Sequence, residues 1–126
     1  MHKKEGRGSH IFIDYMDYKS PVKEDGVWIL ELLKKSVKNA GVREVHSHVE
    51  EFDGTESPLG FAAVVLIDES HVTAHCYSEI GLLAIDVFTC GENDPKIIAD
   101  ELKFFLLESI PKLRLIRENR IERFLQ

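Results

Sequence analysis

The sequence predicts an α+β domain in which two helices cover one face of an antiparallel sheet. Three observations carry this. Short runs rich in β-forming residues are separated by turn clusters such as Asp53-Gly54 and Ser57-Pro58. Two longer stretches repeat their apolar residues at helical spacing. The order of these segments is β-α-β-β-β-β-α-β.

The first strand is the alternating run His10–Met16. From about Ser20 to Asn39 the apolar residues Trp28, Ile29, Leu32, Leu33, Val37 and Ala40 mark an amphipathic helix that Gly41 stops. Its start is open between the cap Ser20-Pro21 and a later position near Asp25, because Gly26 disfavours helix. Four strands follow near residues 43–52, 61–67, 71–77 and 82–89. Asp94-Pro95 supplies a cap and first-turn residue for a second helix with the stripe Ile97, Ile98, Leu102, Phe105 and Leu106. A last strand over about 112–117 closes the pattern, and the charged stretch 114–123 reads as a surface strand and a helix end. Residues 61–67 and 82–85 are apolar on both parities, as when both faces of a sheet are covered. Sheet-to-sheet dimerisation is the expected source of the second cover.

One domain is expected from 126 residues. The net charge of -6 disfavours nucleic acid and anionic membrane as partners and suits a cationic small molecule. The basic opening 1–8 has no apolar core of a secretory signal, and no run reaches the roughly 20 apolar residues of a membrane span, so the cytoplasm is the expected location. Cys76 and Cys90 lie in apolar strand-like runs and read as free thiols. His71 and His75, four residues apart along a strand, stand roughly 13 Å from each other and cannot share one metal ion, so no metal is expected. His46 and His48 share one strand face at a solvated edge.

The stretch Glu69-Ser70-His71, then His75-Cys76-Tyr77-Ser78-Glu79, then Asp86-Val87-Phe88-Thr89-Cys90-Gly91, resembles the self-cleavage site and active site of the prokaryotic S-adenosylmethionine decarboxylase proenzymes. The match in spacing of Ser70, His75, Glu79, Cys90 and Gly91 has no gap, and Gly8-Ser9-His10 is similar to a Gly-x-His start in that family. The resemblance implies autocatalytic cleavage between Glu69 and Ser70, leaving a β chain of residues 1–69 and an α chain of residues 70–126. Ser70 would become a covalent pyruvoyl group, which forms a Schiff base with the substrate amine and takes up electrons as carbon dioxide leaves. It further implies that His75 assists processing, that Cys90 is the proton donor, and that Glu79 binds the ribose hydroxyls of S-adenosylmethionine, giving the aminopropyl donor for spermidine synthesis. Tyr77 and Phe52 are the expected flat partners for adenine. A homodimer of cleaved protomers is the expected assembly.

Departures from the family pattern bear on both halves of this expectation. Ala62 stands where many members carry a processing serine, which points to slower processing or to Ser57 or a water as substitute. Tyr77-Ser78 replaces a frequent Trp-Pro, and Ile80 replaces an aromatic. The alternatives are a pyruvoyl-dependent arginine or ornithine decarboxylase on the same scaffold and a non-catalytic regulatory homologue. Retention of Ser70, His75 and Cys90 together argues against the last.

Overall fold

In the structure, a computed structural model that describes residues 7–124, the chain runs β1 (Gly8–Met16), α1 (Asp25–Asn39), β2 (Glu44–Phe52), β3 (Gly60–Ile67), β4 (Ser70–Tyr77), β5 (Leu82–Cys90), α2 (Pro95–Ser109) and β6 (Arg114–Arg123). Most of the basic opening segment and the last two residues lie outside the described residues. The six strands form one antiparallel sheet in the order β2-β3-β4-β5-β1-β6, with α1 and α2 on one face. Among the described residues no helix is long and apolar enough to cross a membrane.

Strand alternation builds the core. One parity of the central strands, Ile11, Ile13 and Tyr15 on β1, Phe61, Ala63 and Val65 on β3, Val72 and Ala74 on β4, and Leu83, Ile85 and Val87 on β5, is buried beneath the helices. The helices answer with Ile29, Leu33 and Val37 from α1 and Ile98, Leu102 and Leu106 from α2. Each such fully buried aliphatic side chain contributes roughly 1.5–3 kcal/mol relative to an exposed one.

The helix ends follow local chemistry. Helix α1 begins at Asp25, the later of the two expected starts, while Ser20 turns back on Val22 instead of capping. Its C-terminus closes as a Schellman motif: Val42 N–H donates to the Val37 carbonyl, Gly41 N–H donates to Lys38, and Gly41 takes φ of 77°. At α2 the Asp94 carboxylate accepts from Lys96 N–H over 2.9 Å, with Pro95 in the first turn as expected.

Two expectations are corrected. Strand β6 spans Arg114–Arg123, with no helix after it among the described residues, because it pairs along β1 to Gly8↔Arg123. Ile97 is 59% exposed, on the outer side of α2, so it is not part of the buried stripe.

The second face of the sheet carries the other parity, and the strand registers set its side chains in four rows. His46, Leu66, His71, Phe88 and His10 form the first. His48, Val64, Thr73, Asp86 and Phe12 form the second, and Glu50, Ala62, His75, Ala84 and Asp14 the third. Phe52, Gly60, Tyr77 and Leu82 make the fourth, at the opposite end from the β3–β4 turn. Among the described residues no helix covers these rows. On its edge, His46 and His48 are exposed, and His48 meets Glu50 at 3.0 Å, as a solvated edge should.

Candidate active site

Ile67 pairs directly with Ser70, so Asp68 and Glu69 are the two residues of a tight hairpin loop. Glu69 has φ of 68°, left-handed backbone that costs a non-glycine residue roughly 1–2 kcal/mol. The strain therefore falls on the residue whose carbonyl is bonded to Ser70. Ser70 is 7% exposed, and its Oγ accepts the backbone N–H of Cys90 over 3.0 Å. That bond fixes the hydroxyl oxygen, while the hydroxyl proton and a second lone pair stay available.

Cys90 ends β5, is half-buried, and is followed by Gly91 with φ of 69°. With Glu69, Gly91, Glu92 and Asn93 it lines a cavity of about 270 Å³. The other cysteine contrasts with it. Burial pushes the Cys76 thiol up to about 12, so Cys76 stays protonated in the core. A second cavity, of about 340 Å³, lies on the other side of the turn between Glu69, Ser70, His71, Phe88, Leu66 and Val45.

The remaining expected residues gather at the far end of the sheet. His75 is exposed on the uncovered face, five residues along β4 from Ser70, which is about 17 Å. It shares a cavity of about 410 Å³ with Tyr77, Leu82, Ala84, Met16 and Ile116. Phe52 and Tyr77 are both exposed in the fourth row with Gly60 on the strand between them. Glu79 is exposed in the β4–β5 turn and lines a cavity of about 670 Å³ with Tyr18, Ser78 and Lys112.

One chain thus brings Ser70 to Cys90 at one end, and His75, Tyr77, Phe52 and Glu79 toward the other, without joining the two sets. Ala62 lies directly across from His75, so a hydroxyl there would also be remote from the chain's own Ser70.

Three features escaped the sequence reading. Gly60 admits no side chain, because a Cβ there would lie 1.9 Å from the Cys76 carbonyl oxygen. Its only signal was a glycine opening an apolar run. His10 Nε2 sits 3.0 Å from Asp86 Oδ1, and His71 packs on Phe88 with ring centroids 5.5 Å apart. Burial, and then the neighbouring His10, hold the His71 imidazole below its ordinary value, against an opposing pull from Asp86. Pairing across β1, β4 and β5 creates that cluster, and no local spacing announces it.

The profile of one protein family, described as S-adenosylmethionine decarboxylase, matches residues 9–117. The S-adenosylmethionine decarboxylase proenzyme of Clostridium botulinum is 30% identical over 116 residues, covering 91% of this chain and 97% of that protein. That of Thermodesulfovibrio yellowstonii is 34% identical over 93 residues, 73% of this chain, and the match spans 66% of its length. The crystal structure of the adenosylmethionine decarboxylase from Aquifex aeolicus superimposes with a TM-score of 0.65 at 30% identity, covering 94% of this chain and 89% of that one. With the family profile spanning most of the sheet and both helices, and the fold shared, the chain belongs to the S-adenosylmethionine decarboxylase family.

Proposed function

We propose that this protein is a cytoplasmic S-adenosylmethionine decarboxylase that matures by cutting its own chain between Glu69 and Ser70. The observation that carries the reading is the coincidence of a strained Glu69 with a Ser70 hydroxyl held by the Cys90 amide. Attack of Ser70 Oγ on the Glu69 carbonyl breaks the peptide C–N bond and forms an ester, with the hydroxyl proton passing to the freed nitrogen. Removal of the Ser70 α-proton then expels the Glu69 carboxylate, and the dehydroalanine left behind takes up water and releases ammonia. The products are residues 1–69 and a second chain, 70–126, that begins with a pyruvoyl group.

The residues present fit that group, since its precursor is buried, oriented and flanked by a cavity that a ligand can enter. Once formed, a pyruvoyl ketone supplies an electron sink for the pair left by departing carbon dioxide. Around it Cys90, half-buried at the strand end, delivers the proton to the substrate carbon. Glu79 accepts the ribose hydroxyls. Phe52 and Tyr77, separated by the bare backbone of Gly60, leave a slot for adenine to stack against.

The two ends of the site work together across a homodimer. A twofold axis lying between two facing sheets and crossing the strands sets the Ser70 and Cys90 end of one protomer over the His75, Tyr77 and Glu79 end of its partner. His75 then serves as the processing base for the opposite chain, which the separation of about 17 Å denies it within its own. The same arrangement covers the uncovered face, which includes Val64, Leu66, Phe12 and Phe88.

The test is release of carbon dioxide from carboxyl-labelled S-adenosylmethionine, arginine and ornithine by the cleaved protein. Turnover of the first is expected. Turnover of arginine or ornithine alone would replace the substrate and keep the chemistry.

A further inference from the structure

The turn that carries Glu79 is held by hydrogen bonds to residues of neighbouring elements. Ser78 Oγ donates to Asp25 Oδ2 over 3.0 Å, and the Tyr18 hydroxyl donates to the same oxygen over 3.1 Å. Asp25 opens helix α1, and Tyr18 is 4% exposed in the β1–α1 connection. Tyr18 also grips the turn through its backbone, since its N–H donates to the Gly81 carbonyl over 3.0 Å. Within the turn, Ile80 and Gly81 N–H both donate to the Tyr77 carbonyl, and Gly81 takes φ of 74°. Glu79 therefore sits between two anchored neighbours, Ser78 on one side and Ile80-Gly81 on the other.

We infer that Asp25, Ser78 and Tyr18 form a clamp that positions Glu79 for the substrate, making them specificity-determining residues that act through the turn. The clamp limits the freedom of the turn. A glutamate in an exposed turn loses backbone and side-chain entropy on gripping a ligand, and that cost lowers affinity unless it has been met beforehand. Two hydroxyl donors on one carboxylate oxygen, one of them deeply buried, remove the backbone part. The partners come from three separate elements, the β1–α1 connection, α1 and the β4–β5 turn, so the turn cannot shift without disturbing the helix end. The clamp is a positioning device because none of its three side chains is required to reach the reacting carbon.

This inference rests on the proposed role of Glu79, and its test separates the two. Cleaved protein is used throughout, with the processed fraction measured by intact mass. In Ser78→Ala, hydrogen exchange at Ile80 and Gly81 should quicken without substrate present. Its KM for S-adenosylmethionine should rise roughly threefold to tenfold, the range of one lost hydrogen bond, with kcat little changed. Ser78→Thr, which keeps the hydroxyl, should restore both readings. In a Glu79→Gln background, Ser78→Ala should add no further rise in KM, because the clamp acts only through Glu79.

Quickened exchange in Ser78→Ala with an unchanged KM, while Glu79→Gln does raise KM, overturns the clamp as a positioning device. Additive effects of Ser78→Ala and Glu79→Gln overturn it too, by pointing to general destabilisation. An unchanged KM in Glu79→Gln overturns the ribose role of Glu79 and the inference with it.

Discussion

Cys90 donates its backbone N–H to the Ser70 hydroxyl oxygen over 3.0 Å, so the proposed proton donor and the proposed cleavage serine are joined through the main chain of one and the side chain of the other. A substitution at Cys90 that keeps the backbone leaves this bond in place. Cys90→Ala should therefore still mature, at least partly, yet lose about 10²- to 10⁴-fold in decarboxylation through loss of the acid. Gel separation of the fragments reads the first effect and carbon dioxide release the second. Normal turnover by Cys90→Ala would assign the proton to another group.

The separation of His75 from its own Ser70 leads to a complementation test. Ser70→Ala should stay uncut, and His75→Ala should be cut poorly because the proposed acyl-shifted ester needs a base. Coexpressed with different tags and isolated as mixed dimers, the His75→Ala chain should be cleaved, since its partner supplies His75. Mixed dimers with two intact chains would show that His75 is not donated across the interface.

Gly60 meets the backbone of β4 at a distance no real Cβ tolerates. Gly60→Ala must force β3 away from Cys76 and Tyr77, a cost of overpacking of about 1–3 kcal/mol or more. Chemical denaturation of the uncleaved Ser70→Ala protein with and without Gly60→Ala measures it. Binding of the adenine moiety should weaken in parallel, because Phe52 and Tyr77 lose their common floor.

His71 contributes a pH dependence whose sign follows from its lowered pKa. The folded protein favours neutral His71, so its contribution is present above the ordinary histidine value of 6.5 and is lost as pH falls through that value toward the lower folded one. Stability of uncleaved Ser70→Ala protein should decline over this window, and His71→Asn should flatten the slope. The carboxylates held low by hydrogen bonds, Asp53, Asp94 and Glu122, act only below the ordinary carboxylate range and leave the window clear.

Period and punctuation were enough to read the element order. Alternation in β1, the continuous apolar runs of β3 and β5 and the Asp94-Pro95 cap are local signals, and local signals survive into the fold. Ile97 was misplaced because α2 turns its apolar stripe toward the sheet through Ile98, Leu102 and Leu106, a choice made by tertiary contact and not by spacing. The end of β6 was missed because charged residues on an edge strand pair through their backbone, for which composition is silent. At the site, the spacing from Ser70 to Cys90 marked the candidate residues, but not their separation. Ser70 and Cys90 are twenty residues apart and hydrogen-bonded, whereas Ser70 and His75 are five apart and at opposite ends of a strand. Strand geometry explains both, and it becomes visible only once the register is known.

Self-cleavage at Ser70 is the claim on which the rest depends, and intact-mass analysis of the purified protein tests it in one run. Two chains are expected, one ending at Glu69 and one beginning at residue 70 and lighter by one ammonia than the same fragment with an N-terminal serine, while Ser70→Ala gives a single whole chain without activity. A wild-type chain that stays whole and still releases carbon dioxide from S-adenosylmethionine would contradict the account.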